Sequence, residues 1–106
     1  TRAYPGAAPI DIWAQINYDR VRRLVVLQAE RKAAQGAAPA FVYLFAWRSK
    51  TFDGMLGAFH GSEVPFVFDN ADERAPFTGG TAEARALAER VSEAWVSFAR
   101  SGNPSH

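Results

Sequence analysis

The run Ala40-Phe41-Val42-Tyr43-Leu44-Phe45-Ala46-Trp47 is continuous in β-branched, aromatic and aliphatic residues, with no polar residue alternating between them. A strand with one wet face shows such alternation, so this run reads as a strand buried on both faces, as in the interior of a mostly parallel sheet covered by helices. One such strand cannot make a sheet. It exposes hydrogen-bonding groups along both edges, and those edges require partners. The pattern therefore predicts an α/β chain that is a piece of something larger or the obligate partner of another chain.

The rest of the chain supplies helices and loops. Residues 1–9 are rich in Pro, Gly and Ala and read as a connecting segment. Ile12, Trp13 and Ile16 predict a short amphipathic helix ending near Asn17, after which Asp19 caps a longer one running to about Gln35, stopped by Gly36. Along this second helix Val21, Leu24, Val25, Gln28 and Ala29 recur at three- and four-residue spacing. Residues 48–56, with Asp53-Gly54, read as a loop, as do residues 69–80. Thr81 is placed to cap a last helix whose positions Leu87, Val91, Ala94, Trp95 and Phe98 again step by three and four, with Gly102 and Pro104 as its stop.

Composition narrows the function classes. With 106 residues, 48% of them hydrophobic and 13% aromatic, the chain has material for a core. A formal net charge of +1 provides no global field toward nucleic acid or an anionic membrane. Arg20, Arg22, Arg23, Arg31 and Lys32 form a local basic cluster, read either as the solvated face of a helix or as a partner site. The absence of cysteine excludes disulfides within the chain and thiolate metal sites, without identifying a compartment. No apolar run reaches the roughly 18 residues of a membrane helix. Thr1-Arg2-Ala3-Tyr4-Pro5 has no signal-peptide character, and in a fragment that start carries no information on secretion, so cytoplasmic and secreted locations both stay open.

The segment after the strand contains the chemistry. Gly57-Ala58-Phe59-His60-Gly61-Ser62-Glu63-Val64-Pro65-Phe66-Val67-Phe68 sets one of the two histidines between glycines and follows it with an apolar wall. Imidazole titrates near neutrality and serves as base and then as acid. The flanking glycines permit close backbone approach, and catalytic groups in open α/β sheets collect beyond the carboxyl ends of strands. A histidine beside apolar residues is also often a hydrogen-bonded structural group, and the residues alone leave both readings open. His106 reads as solvated tail. Phe66 and Phe68, alternating after a proline, are expected to pack inward, as are Trp95 and Phe98 on their helix.

Three ordered blocks resemble the type-B carboxylesterases, the carboxylesterase and cholinesterase-like branch of the α/β-hydrolases. Gly57, His60, Glu63, Val64, Phe66, Val67 and Phe68 are similar to the family's histidine segment. Tyr43-Leu44-Phe45-Ala46-Trp47 with Arg48-Ser49 resembles the strand before it, and Trp95-Val96-Ser97-Phe98-Ala99-Arg100-Ser101-Gly102-Asn103-Pro104 resembles a helix end of the pattern Trp-x-x-Phe-Ala-x-x-Gly-x-Pro. Asp19 and Arg20 are similar to a weaker fourth block. The resemblance implies the C-terminal portion of an α/β-hydrolase fold, with a late central-sheet strand, the catalytic-histidine loop and flanking helices. Residues 1–106 would then be a partial domain, incomplete at both ends.

The activity implied is carboxylic-ester hydrolysis by a Ser-His-Glu/Asp triad, with no metal and no organic cofactor. Of that triad the chain would supply only His60. No Gly-x-Ser-x-Gly elbow occurs in it, so serine, acid and oxyanion loop are expected upstream of Thr1, in the remainder of the esterase or on another chain. The other partner implied is a small-molecule ester, with no nucleic acid and no membrane span. Glu63 is expected to support the site from beneath or to be a solvated carboxylate, rather than to serve as the triad acid. Phe59 and Gly61 are candidate pocket residues. Ser62 stands where relatives with quaternary-ammonium substrates carry tyrosine, a departure from the cholinesterase pattern. Two other classes remain: an inactive esterase-like adhesion or scaffold protein, and a separate small binding module.

Overall fold

The computed structural model describes residues 5–106; residues 1–4 of the expected connecting segment lie outside the described residues. The chain divides into two compact units, Thr1–Tyr43 and Leu44–His106.

The first unit is built on α1, Pro9–Ala34. Pro9 occupies the first turn, where its missing N–H costs no hydrogen bond, and Asp11 sits at the positive end of the helix while Arg31 and Lys32 sit at the negative end. The backbone of Gly36, at φ +67°, turns the chain out of the helix, as expected. The expected break between two helices near Asn17–Asp19 does not occur. Asn and Asp remain inside a helix at a cost of a few tenths of a kcal/mol (~0.7 at most), and no Gly or Pro interrupts Ile10 to Ala34. Both polar side chains are satisfied within the helix: Asn17 Nδ2 donates to the Trp13 carbonyl at 2.8 Å, and Gln15 Nε2 donates to Asp19 Oδ1 at 3.0 Å. No residue of α1 is buried. Its apolar positions, Trp13 at 64% and Leu24 at 60% exposure among them, remain open.

The expected strand at residues 40–47 is not formed: among the described residues there is no strand at all. A strand exists only by pairing, and among the described residues this run pairs with no other segment. Its inward residues are nonetheless committed. Phe45 and Trp47, two apart and thus on one face of an extended chain, pack on the core of the second unit, whereas Leu44 is 74% exposed.

That core centres on Phe66, which is fully buried together with Ala71, Ala84 and Ala88. The rings of Phe45 and Trp47 lie 5.0 and 5.8 Å from the Phe66 ring, both tilted against it. Trp47 Nε1 donates to the Thr78 carbonyl at 3.1 Å, so the indole is anchored at its polar end as well. Two short helices, α2 (Val64–Val67) and α3 (Ala75–Thr78), each begin with a proline in the first turn. The buried Thr78 hydroxyl donates to the Ala71 carbonyl at 2.7 Å and ties α3 to the loop before it.

The last helix, α4 (Ala82–Ser101), starts and stops as its sequence predicts. Thr81 Oγ1 accepts from the Ala84 N–H at 3.2 Å, and Gly102, at φ +74°, donates its N–H to the Phe98 carbonyl at 2.7 Å. Its buried face is Ala84 and Ala88, with Leu87 and Val91 packed beside them. Those two alanines let the α2 segment approach closely. Trp95 and Phe98, expected in the core, are 45% and 44% exposed.

Candidate functional site

The His60 loop is a chain of tight turns. The Gly57 N–H donates to the Gly54 carbonyl at 3.1 Å, the Ser62 N–H to the Phe59 carbonyl at 3.1 Å, and the Val64 N–H to the Gly61 carbonyl at 3.2 Å. In the middle turn His60 is the first central residue and Gly61 the second. Gly61 has φ +80°, the left-handed conformation that a type II turn requires at this position and that glycine adopts without strain. Gly57, at φ +56°, reverses the chain on the approach. The glycines that flank the histidine in the sequence thus shape its turn.

This geometry lifts the imidazole away from the core. His60 is exposed, and among the described residues its ring has no hydrogen-bond or ion-pair partner. The reading of His60 as a hydrogen-bonded structural group therefore finds no partner here. Glu63 is half-buried; its backbone carbonyl accepts from the Phe66 and Val67 N–H groups at 2.9 and 3.0 Å, which starts α2. Its carboxylate makes no ion pair with His60.

Phe59 is half-buried, and its ring lies 6.2 Å from that of Phe77 at 60°. Phe77 was hidden in a stretch read as loop. The signal that could have found it is the proline at Pro76 followed by Gly79-Gly80, a helix start and stop only a few residues apart. The expected inward pair after Pro65 splits: Phe66 is buried and Phe68 is 72% exposed. The segment is helical, and residues two apart on a helix point to nearly opposite sides, whereas on a strand they share a face.

The second histidine differs from the first. His106 is not a free tail: its Nδ1 lies 3.1 Å from the Pro104 carbonyl and its Nε2 3.5 Å from the Glu93 carboxylate. The basic side chains on α1 share their surface with acids, since a shallow groove there is lined by Asp19, Arg22, Arg23 and Glu30 with Val26 and Leu27. Among the described residues no group of three or more His, Cys, Asp or Glu side chains could hold a metal ion. No described helix is long and apolar enough to cross a membrane.

Comparison with known proteins adds the family. Residues 11–106 match the sequence profile described as "Carboxylesterase family". Among curated proteins the chain is similar to a para-nitrobenzyl esterase of Bacillus subtilis, at 41% identity over 70 residues, covering 64% of this chain and 14% of that protein. It is also similar to human carboxylesterase 5A, at 36% identity over 75 residues (64% of this chain, 13% of that one). A phenmedipham hydrolase of Pseudarthrobacter oxydans is 38% identical over 73 residues (64% and 15%). The matched part thus spans 13–15% of the length of these relatives. The match extends from within α1 through the His60 loop to the end of α4, and the chain belongs to the carboxylesterase family, in its type-B carboxylesterase-like branch and with the α/β-hydrolase fold that this family implies.

Proposed function

We propose that this chain is part of a carboxylic-ester hydrolase and that His60 is its general acid and base. The observation that carries the reading is the presentation of His60: an exposed imidazole, unpartnered among the described residues, on a turn shaped by Gly61, in a chain of the carboxylesterase family. Residues 1–106 are one portion of an α/β-hydrolase domain. In the intact domain residues 40–47 pair as a late strand of the central sheet, with His60 on the loop beyond it. The serine nucleophile, the acidic residue and the oxyanion donors come from other segments of that domain.

In this reading one ring nitrogen of His60 takes the serine proton as the serine oxygen attacks the ester carbonyl, and the other donates to the acidic partner, which fixes the tautomer. The tetrahedral intermediate collapses with loss of the alcohol, whose oxygen receives the proton from the imidazolium. His60 then removes a proton from water as it attacks the acyl-serine, and returns that proton to the serine oxygen when the acid leaves. Every proton passes through one imidazole, which is why its ring must be free of competing bonds. The names of the relatives make a para-nitrobenzyl ester a suitable first substrate.

The test is ester turnover by the intact protein with His60→Ala. Loss of general acid–base catalysis costs about 10²–10⁴-fold, and a fall of that size or more is expected. Turnover at the wild-type rate refutes the assignment. Loss on substitution also separates an active esterase from an esterase-like scaffold, which has no turnover to lose.

A further inference from the structure

The turn that presents His60 has little of its own to hold it still. Gly57 and Gly61, on either side, take φ of +56° and +80°, and a Cβ built on either would meet nothing within 4 Å. Glycine restricts the chain least of all residues, and the open space at both positions leaves the backbone unbraced there. His60 itself is exposed, and its ring has no hydrogen-bond or ion-pair partner among the described residues. A general acid and base needs the opposite, since misplacing a reacting group by about 1 Å costs about 10²-fold in rate.

Phe59 supplies the brace. Its ring lies 6.2 Å from that of Phe77, tilted by 60°, within the range at which aromatic pairs attract. The residue so held is also the one whose carbonyl accepts the Ser62 N–H at 3.1 Å and closes the turn, and His60 follows it directly. Phe77 in turn stands on α3, which is pinned at the very next residue. Thr78 is 1% exposed, its hydroxyl donates to the Ala71 carbonyl at 2.7 Å, and its carbonyl accepts from Trp47 Nε1 at 3.1 Å. Trp47 packs against Phe66 at the centre of the core. Both rings of the Phe59–Phe77 pair belong to the second compact unit, so the contact needs no other segment of the domain. A continuous run of contacts thus leads from Phe66 through Trp47, Thr78 and Phe77 to Phe59, and ends beside His60.

We propose that Phe77 is a positioning residue for His60: by holding the Phe59 ring it fixes the glycine-bounded turn, and with it the place at which the imidazole is offered. The inference rests on the acid–base reading of His60.

The experiment is steady-state ester hydrolysis by the intact esterase and its Phe77→Leu, Phe77→Tyr, Phe59→Leu, Val91→Ala and His60→Ala variants and the Phe59→Leu, Phe77→Leu double variant, with the unfolding midpoint of each recorded. Leucine keeps apolar bulk and loses the ring. Phe77→Leu is expected to lower kcat about fivefold, a loosening smaller than the displacement that costs about 10²-fold, with KM changed less than about twofold. Phe77→Tyr keeps the ring and is expected to stay within about twofold of wild type. In the Phe59→Leu background, Phe77→Leu is expected to lower kcat by less than about twofold further, because residues that act through one contact are not additive. Val91→Ala loosens the same core from α4 and is expected to lower the midpoint without moving kcat. Wild-type kcat in Phe77→Leu overturns the proposal, even if its midpoint falls. An equal loss in Phe77→Tyr, losses at Phe59 and Phe77 that simply multiply, or an equal loss in Val91→Ala also overturns it, since the cause would then lie outside the ring contact. If His60→Ala is inactive while Phe77→Leu is neutral, only the positioning role fails; if His60→Ala turns over normally, the acid–base assignment fails and this inference with it.

Discussion

Replacing Phe66 by alanine tests how the core behind the His60 loop is built. The ring is fully buried, with Phe45 and Trp47 tilted against it at 5.0 and 5.8 Å and Ala84 and Ala88 buried beside it. Truncating a buried Phe to Ala costs about 3–5 kcal/mol through lost transfer free energy and the cavity left behind. Within that sum, each aromatic pair contributes about 0.5–1.5 kcal/mol beyond its buried area. The upper half of the range is expected, because Ala84 and Ala88 sit on a regular helix and have no side chain that could swing into the void. Phe68→Ala is the internal comparison: the same chemical change two residues later, at a site 72% exposed, is expected to cost at least about 2 kcal/mol less. Urea unfolding of the intact protein, followed by tryptophan emission, reads both, and Trp47 reports directly because its ring touches the mutated site. Equal costs at 66 and 68 would refute the helical placement of this segment and restore the extended one, in which both rings share a face.

The start of α4 and the His60 turn carry three further expectations. Thr81→Ala removes the cap on the Ala84 N–H and is expected to destabilise by about 1 kcal/mol, with Thr81→Ser recovering most of it in the same unfolding assay. The Glu83 carboxylate is held below its ordinary pKa, first by a hydrogen bond from its own backbone N–H and then by the Thr81 hydroxyl. A depressed carboxylate contributes stability that is present above its unfolded pKa and lost as pH falls through the folded one. Wild type should therefore lose its advantage over Glu83→Gln on acidification from pH 6 to below the carboxylate range, and a difference that stays constant with pH would contradict this. At Gly61 a Cβ would meet nothing within 4 Å, so Gly61→Ala is expected to cost only the left-handed backbone penalty of about 1–2 kcal/mol. Gly61→Asn, which tolerates that conformation better, should cost less, as measured by unfolding alongside ester turnover.

How much was legible depended on how locally each feature is determined. The limits of α4 were readable because a threonine cap and a left-handed glycine act on residues a few positions away. The break proposed near Asn17 failed because the same polar side chains that favour helix ends can bond within the helix, to Trp13 and between Gln15 and Asp19. Residues 40–47 were read for a strand from an apolar run. A strand, however, is a relation between segments, and no such pairing forms among the described residues. The aromatic pair at Phe66 and Phe68 splits because alternation places both rings on one face only in an extended segment, whereas here a proline in the first turn starts a helix, on which residues two apart diverge.

At the site, His60 and its glycines were visible because turn chemistry is written in adjacent residues. The ring contact beside them was not, because Phe77 meets Phe59 only once α3 has folded. The family resemblance was readable from three blocks of residues, and the match over residues 11–106 covers all of them.

The most direct test of the account compares the two histidines in the intact protein. The measurement is kcat/KM toward a para-nitrobenzyl ester for His60→Gln against His106→Gln. His106 has its partners in Glu93 and the Pro104 carbonyl, whereas the His60 ring has none among the described residues. A loss of about 10²-fold or more is expected in His60→Gln alone, with His106→Gln near wild type. Wild-type kcat/KM in His60→Gln would contradict it.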